Sequence, residues 1–340
     1  MKLRDYIIRR ILLLIPVLIG ISFITFFLSH MIGDPAAAWL GEKTIGQEEA
    51  VKAIRAAHHL DDPLPIQYFY YLNDLAHFDL GRTGRNEGGR PVIEALKDYF
   101  PATLELAILG MGFAIIIGIP LGILSAVFKD KVPDHIVRVL ALVGVSMPIF
   151  WLGLILKYWF SFKFDIFPLD GRLPYTVLAP PKVTGMYTFD ALLAGQFDTF
   201  FVALRHAILP SFCLGLITLA ILTRMMRSSM LETLTQDFIR TARAKGLSER
   251  KVILKHALRN ALTPTTTVAG IAFGGLLSGA VMTETIFAWP GIGRFSVKAI
   301  GSTDFASIMG FALLIVLFYV LSNLLVDILY VYLDPRVKYG

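Results

Sequence analysis

The chain has 340 residues, 55% of them hydrophobic and 17% charged, whereas an ordinary soluble domain carries about 25% charged residues. That balance excludes a plain water-soluble globule and points to a bilayer. The net charge of +6 is explained by basic flanks around apolar runs and implies no nucleic-acid partner, and the single cysteine, Cys213, excludes an internal disulfide or a Cys-based metal cage.

A helix needs roughly 20 apolar residues to cross hydrocarbon. The runs 11–32, 106–128, 139–156, 207–223, 261–283 and 305–326 approach or reach that length and hold no Asp, Glu, Lys or Arg. Lipid offers the backbone no hydrogen-bond partner, so each run must satisfy itself as a helix. The expectation is an all-α integral membrane protein with six transmembrane helices. Lys and Arg favour the cytoplasmic side of short loops, and 18 of the 32 basic residues fall in 1–10, 129–138, 224–260 and 327–340, the other 14 being spread over about twice that length. This places both termini in the cytoplasm of a multi-pass protein of the cell membrane.

Taken in order, residues 1–32 form a cytoplasmic N-terminus and the first crossing. The run is longer than a signal-peptide core, so it reads as a permanent anchor despite Ala36, Ala37 and Ala38 downstream. An external segment, 33–100, follows, with helical patterning over 47–60 and 66–78, a Gly-rich loop over 81–89 and a short helix over 91–99 leading into the second crossing. Residues 101–340 form the core unit. A second external segment, 160–204, carries Pro168, Pro174, Pro180 and Pro181 and reads as turns. Pro16, Pro120, Pro148, Pro210 and Pro264 favour kinks inside the apolar runs. Gly110, Gly112, Gly118, Gly122, Gly270, Gly274, Gly275 and Gly279 offer close helix approach.

The cytoplasmic stretch 224–260 holds 9 basic and 3 acidic residues and is still patterned as helix. Leu231, Leu234 and Phe238 repeat at three and four, and Val252, Leu254, Ala257, Leu258 and Ala261 continue an apolar face after a break at Gly246. Gly246 suits a helix end, Ser248 an N-cap, and Glu249 a first turn. Such a knob fits a partner's groove or an anionic lipid surface, and the physics leaves both open.

The run from Asp237 through Arg240, Thr241, Ala242, Arg243, Ala244, Lys245, Gly246 and Leu247, followed by His256 to Pro264, resembles the cytoplasmic loop of ABC importer permeases and is close to that of the peptide and nickel subfamily. Arg240 stands where the broader motif has glutamate and Thr241 where it has the first alanine. Arg9-Arg10-Ile11-Leu12, Gly33-Asp34-Pro35-Ala36, Phe100-Pro101-Ala102-Thr103-Leu104-Glu105-Leu106, Ser146-Met147-Pro148-Ile149-Phe150-Trp151, Thr283-Glu284-Thr285-Ile286-Phe287-Ala288-Trp289-Pro290-Gly291-Ile292-Gly293 and Asn323-Leu324-Leu325-Val326-Asp327 extend the resemblance over nearly the whole chain, towards B-type subunits for di- and oligopeptides. The resemblance implies a type I importer fold and a coupling helix over Arg240–Leu247 that fits a groove on an ATPase. It also implies two cytoplasmic ATPase subunits that bind the ATP and magnesium, a second homologous permease and an external solute-binding protein.

Ionisable residues at membrane depth are functional candidates, so Glu105 and Glu284 are named as pathway or gate residues with Met147 and Pro148, although the ends of helices also hold purely structural charges. Arg294 is the expected partner of Glu284. No phosphate loop is present, because Gly41-Glu42-Lys43-Thr44 lacks the Gly-Lys pair, and no hydrolase elbow or zinc motif appears. No cofactor is therefore expected on this chain. His58-His59 is a poor metal pair, since neighbours on a helix point apart.

Overall fold

In the computed structural model the chain is described over residues 3–32, 36, 48–84 and 87–333, and every regular element there is helical. The first apolar run lies in α1, Leu3–Ile32. Two helices follow, α2, Glu48–Ala57, and α3, Leu64–Ala76, close to their expected positions. The long helix α4 is Val92–Val127, then come α5, Val132–Ser146, and α6, Ile149–Leu156, which runs into a π-helical stretch, Lys157–Lys163. Beyond these are α7, Tyr187–Leu193, and the long α8, Phe197–Leu234. The chain then forms α9, Asp237–Ala244, and the short α10, Glu249–Lys251, with a π-helical stretch, Val252–Ala257, leading into α11, Leu258–Ile286. Two further helices end the described chain, α12, Ile292–Gly301, and α13, Phe305–Leu333.

Among the described residues three helices are long and apolar enough to cross a membrane, and five if two bent pairs count as one span each, while Leu12–Leu28 is a shorter apolar helix. The pair Val132–Ser146 and Ile149–Lys163 meets at 106°. Of the five expected kinks, this break at Pro148 is the sharp one, for Met147 is extended at φ −77 and ψ 128, as a residue before proline prefers. Pro120, Pro210 and Pro264 lie within helices that continue past them, their freed carbonyls tolerated among packed neighbours.

Two expectations change. The short helix expected at 91–99 and the second apolar run are one rod, because Pro101 sits within α4 without ending it. The segment 160–204 is not all turns, since α8 already begins at Phe197.

The centre of the bundle is the contact of α4 with α8, which run parallel. A Cβ at Gly110 would meet Ser211 O at 3.1 Å, one at Gly118 would meet Leu219 O at 2.9 Å, and one at Gly122 would meet Thr223 O at 2.7 Å. On the α8 side Gly215 answers, where a Cβ would fall on Gly110 O. Small residues on both helices let the backbones touch, the main source of helix association where lipid removes the hydrophobic drive. Gly112 and Gly275 face open space and play no such part. The third helix, α11, runs antiparallel to both. Thr265 Oγ1 lies 3.5 Å from Met226 Sδ near one end, and Glu284 bonds Thr103 near the other. Leu106, Met111, Leu214, Leu222, Leu276 and Trp289 fill the space between them. With 36 and 38 residues, α4 and α8 are about 54 and 57 Å long and outreach a hydrocarbon core of ~30 Å.

Candidate functional site

At the end where α8 finishes, Thr235 and Gln236 turn the chain straight into α9. Ile239 and Ala242 are buried in one apolar cluster with Met226, Met230, Val252 and Ala257, so α9 is fastened against the π-helical stretch Val252–Ala257, which itself packs on the last turns of α8. Ala242 thus holds the hairpin from inside. Arg240, Thr241, Arg243, Ala244, Lys245 and Gly246 are exposed, with Leu247 half-buried.

Gly246 ends α9 at φ +73, its N–H bonding Arg243 O at 2.9 Å while Leu247 N–H reaches back to Ala242 O at 3.4 Å. This pairing closes a helix through a left-handed residue, which glycine adopts without strain. Nothing lies within 4 Å of a Cβ built there, so the requirement for glycine is conformational and not spatial. Ser248 occupies the cap position with extended backbone, and its carbonyl accepts from Lys251 and Val252, but its side chain makes no capping bond. Glu249 turns to Arg243 instead, at 2.7 and 3.2 Å, and bridges the two arms of the hairpin. The apolar face also differs from expectation. A π-helical stretch sets residues five apart on one side, so Val252 and Ala257 are buried together and Leu254 faces outward.

Behind the hairpin a buried charge links three helices. Asp134 accepts from Arg227 Nε and Nη2, each at 2.8 Å, from Ser125 Oγ at 2.5 Å and from Asp130 N–H at 2.9 Å. The end of α4, the start of α5 and the lower half of α8 meet on one carboxylate. Sequence reasoning missed it. The available signal was an acid in the first turn of a helix and an arginine just beyond an apolar run, both at the boundary where lone charges are costly.

At the opposite end of the rods, Glu105 and Glu284 are both fully buried. Glu105 accepts from Arg172 Nη2 at 2.6 Å and from the N–H and hydroxyl of Thr188 at 2.7 Å each, in the first turn of α7. The Arg172 guanidinium lies 3.6 Å from the ring centre of Tyr187 and 5.6 Å from that of Trp289, and it also donates to Gly185 O at 2.8 Å. Asp190 binds the backbone N–H groups of Thr184 and Gly185 and closes the same strap, 164–196, over α4.

Glu284 accepts from Thr103 Oγ1 at 2.5 Å and Arg294 N–H at 2.9 Å, so a carboxylate of α11 lies at the start of α12, where the helix dipole favours it. The expected side-chain pairing with Arg294 is replaced, because that guanidinium donates to Ala288 O at 2.6 Å. A Cβ at Gly291 would overlap the Glu284 carboxylate, and Trp289 Nε1 donates to Ala102 O at 2.9 Å. The four pathway candidates therefore do not converge. Met147 packs with Leu152, Leu209, Cys213 and Phe287 at the α5–α6 break, and Pro148 is exposed there.

His58 and His59 do part, the first to Asp74 at 3.3 Å and the second to Asp62 at 3.0 Å. Residues 41–44 and the Asp327 side chain lie outside the described residues.

A bundle of long apolar helices, carrying one amphipathic hairpin at a single end, defines an integral membrane component and not an independent globule. Two family models divide the chain. The N-terminal model of the binding-protein-dependent transport system membrane component matches residues 3–107, and the binding-protein-dependent transport system inner membrane component model matches 118–339. The chain belongs to this family of inner membrane permease components. It is 48% identical over 328 residues to the probable D,D-dipeptide transport system permease protein DdpB of Escherichia coli K12, covering 96% of this chain and 95% of the relative. It is 46% identical to the dipeptide transport system permease protein DppB of Alkalihalophilus pseudofirmus, covering 98% and 99%. Among solved structures the MetNI methionine ABC transporter in an inward-facing conformation aligns with a TM-score of 0.51 at 18% identity, over 68% of this chain and 93% of that one, a likeness of fold.

Proposed function

We propose that this chain is one membrane half of an ATP-driven importer of di- and oligopeptides, driven through the α9 hairpin. The carrying observation is the extent of the dipeptide permease likeness, 46 to 48% identity over at least 95% of each relative. In this reading both termini and residues 224–260 face the cytoplasm, six crossings span the cell membrane, and a second, homologous permease completes the path. Two ATPase subunits hold ATP and magnesium and receive Arg240, Thr241, Arg243, Ala244 and Lys245 in a groove, with Ala242, Gly246 and Leu247 shaping the knob. An external solute-binding protein delivers the peptide to the side of 33–100 and 160–204.

The geometry supports a lever. Because α9 packs on the π-helical stretch Val252–Ala257, which packs in turn on the α8 that touches α4 backbone to backbone, displacement of α9 by a closing ATPase dimer is passed through that stretch to α8 and α4. Met147-Pro148 is then the point where the neighbouring span yields. Glu105 and Glu284 tie the pathway helices to the outer strap and to α12, so that the outer end opens or closes as a unit.

The test is ATP hydrolysis by the complex reconstituted with its permease, ATPase and binding-protein partners, offered di- and tripeptides, nickel chelates and oligosaccharides in turn. Peptides raise the rate if the proposal holds. Stimulation by another cargo alone keeps the importer and removes the peptide.

A further inference from the structure

Between α1, α3, α4 and α13 lies an apolar cavity of about 360 Å³, within the span of small-ligand sites, roughly 300–1,000 Å³. Ile15, Leu75, Leu96, Leu314 and Leu317 form its walls, and Ser22 is a polar group on its rim, already bonded to Ile19 O. Against it stands a second cavity of about 390 Å³ with half-polar walls, formed by His58, His77, Asp79 and Arg82. Phe78 and Ile93 belong to both, so the two spaces adjoin. The chain between them separates the two characters residue by residue, Leu80 facing the first and Asp79 and Arg82 the second.

The polar space carries one fixed cation, Arg82, together with the Asp79 carboxylate and two imidazoles. Arg82 is oriented by one bond, Nη1 to Gly89 O at 3.0 Å. His77 donates through Nδ1 to Asn73 O at 2.8 Å, since a carbonyl only accepts, which leaves Nε2 of the neutral ring as an acceptor for a headgroup hydroxyl. Asp79 is engaged by the Gly81 N–H at 3.0 Å and His58 by Asp74 at 3.3 Å.

We infer that the paired cavities bind one phospholipid, an acyl chain between α1 and α13 and the phosphate at Arg82, with a headgroup hydroxyl donating to His77. Size decides against a protein helix, because a cylinder about 10 Å across fills 360 Å³ in less than one turn. An acyl chain is thin enough, most of the wall belongs to the long apolar helices α1, α4 and α13, and a guanidinium forms charge-assisted bonds with a phosphate oxygen. The bound lipid would fill the seam along which α1 packs on α13.

The test is native mass spectrometry of the assembled complex, freed of lipid by detergent exchange and titrated with phosphatidylglycerol, diacylglycerol of the same chains, and inorganic phosphate. Wild type should retain phosphatidylglycerol at least five-fold better than diacylglycerol, and phosphate should not displace it. Leu75→Trp with Leu314→Trp should lower retention of both lipids, and Arg82→Gln, which leaves the walls intact, should erase the preference for phosphatidylglycerol. Equal retention of both lipids by wild type, displacement by phosphate alone, or retention unchanged in Arg82→Gln would overturn the inference, even if the double variant fails to fold.

Discussion

The strap and the α9 hairpin, at opposite ends of the α4 and α8 rods, handle charge in opposite ways. At the strap end, Glu105 and Arg172 are buried and surrounded by donors and rings, and Glu284 is closed off by Thr103 and the start of α12. At the hairpin end, Arg243 and Glu249 meet in the open, and Arg240 is 75% exposed along its side chain, 3.5 Å from Asp237. A buried ion pair is costly to break because one partner is left desolvated, whereas an exposed pair contributes about 0–1 kcal/mol. The strap is built to hold its shape and the hairpin keeps its charges in the open, with the buried Asp134–Arg227 pair fixing the rods behind it.

Breaking the first kind should hurt most. Glu105→Ala strands Arg172 against Tyr187 and Trp289, and the loss should be about 3–5 kcal/mol, read as a fall in thermal stability of the purified complex. Replacing the pair together, Glu105→Leu with Arg172→Met, should recover much of that loss. No recovery would mean that the pair does more than satisfy itself.

Gly291→Ala sharpens the same contrast by steric means. Its Cβ falls on the Glu284 carboxylate, so α12 must shift, and a cost of about 1–3 kcal/mol is expected from the same melting measurement. Next is Gly246→Val, where a β-branched residue enters a left-handed position at about 1–2 kcal/mol. Gly246→Asn should be tolerated. Peptide uptake with the two variants separates backbone shape from lost space. Last, Glu249→Gln should change stability by less than about 1 kcal/mol, because the bond to Arg243 lies in solvent.

The sequence made the hairpin readable for a local reason. The break at Gly246 depends only on residues a few positions apart, whereas the face expected through Phe238 shifts by one residue, Phe238 being exposed and Ile239 and Ala242 buried. Leu254 was misjudged because a π-helical stretch changes the period from within, and periodicity assumes one period. The strap end was legible as positions but not as partners. Glu105 and Glu284 were identifiable as charges beside apolar runs, yet Arg172 is 67 residues from Glu105 and Thr103 is 181 from Glu284. Gly215 and the Asp134–Arg227 link escaped for the same reason, since their meaning comes from another helix. The six apolar runs each fall within helix, with one run divided at Pro148.

The most direct test of the lever is peptide uptake and peptide-stimulated ATP hydrolysis by the reconstituted complex carrying Arg240→Glu with Lys245→Glu, both side chains on the solvent face of the hairpin. The account predicts a fully assembled membrane chain of unchanged thermal stability that has lost uptake and stimulation together. Uptake at the wild-type rate would contradict it.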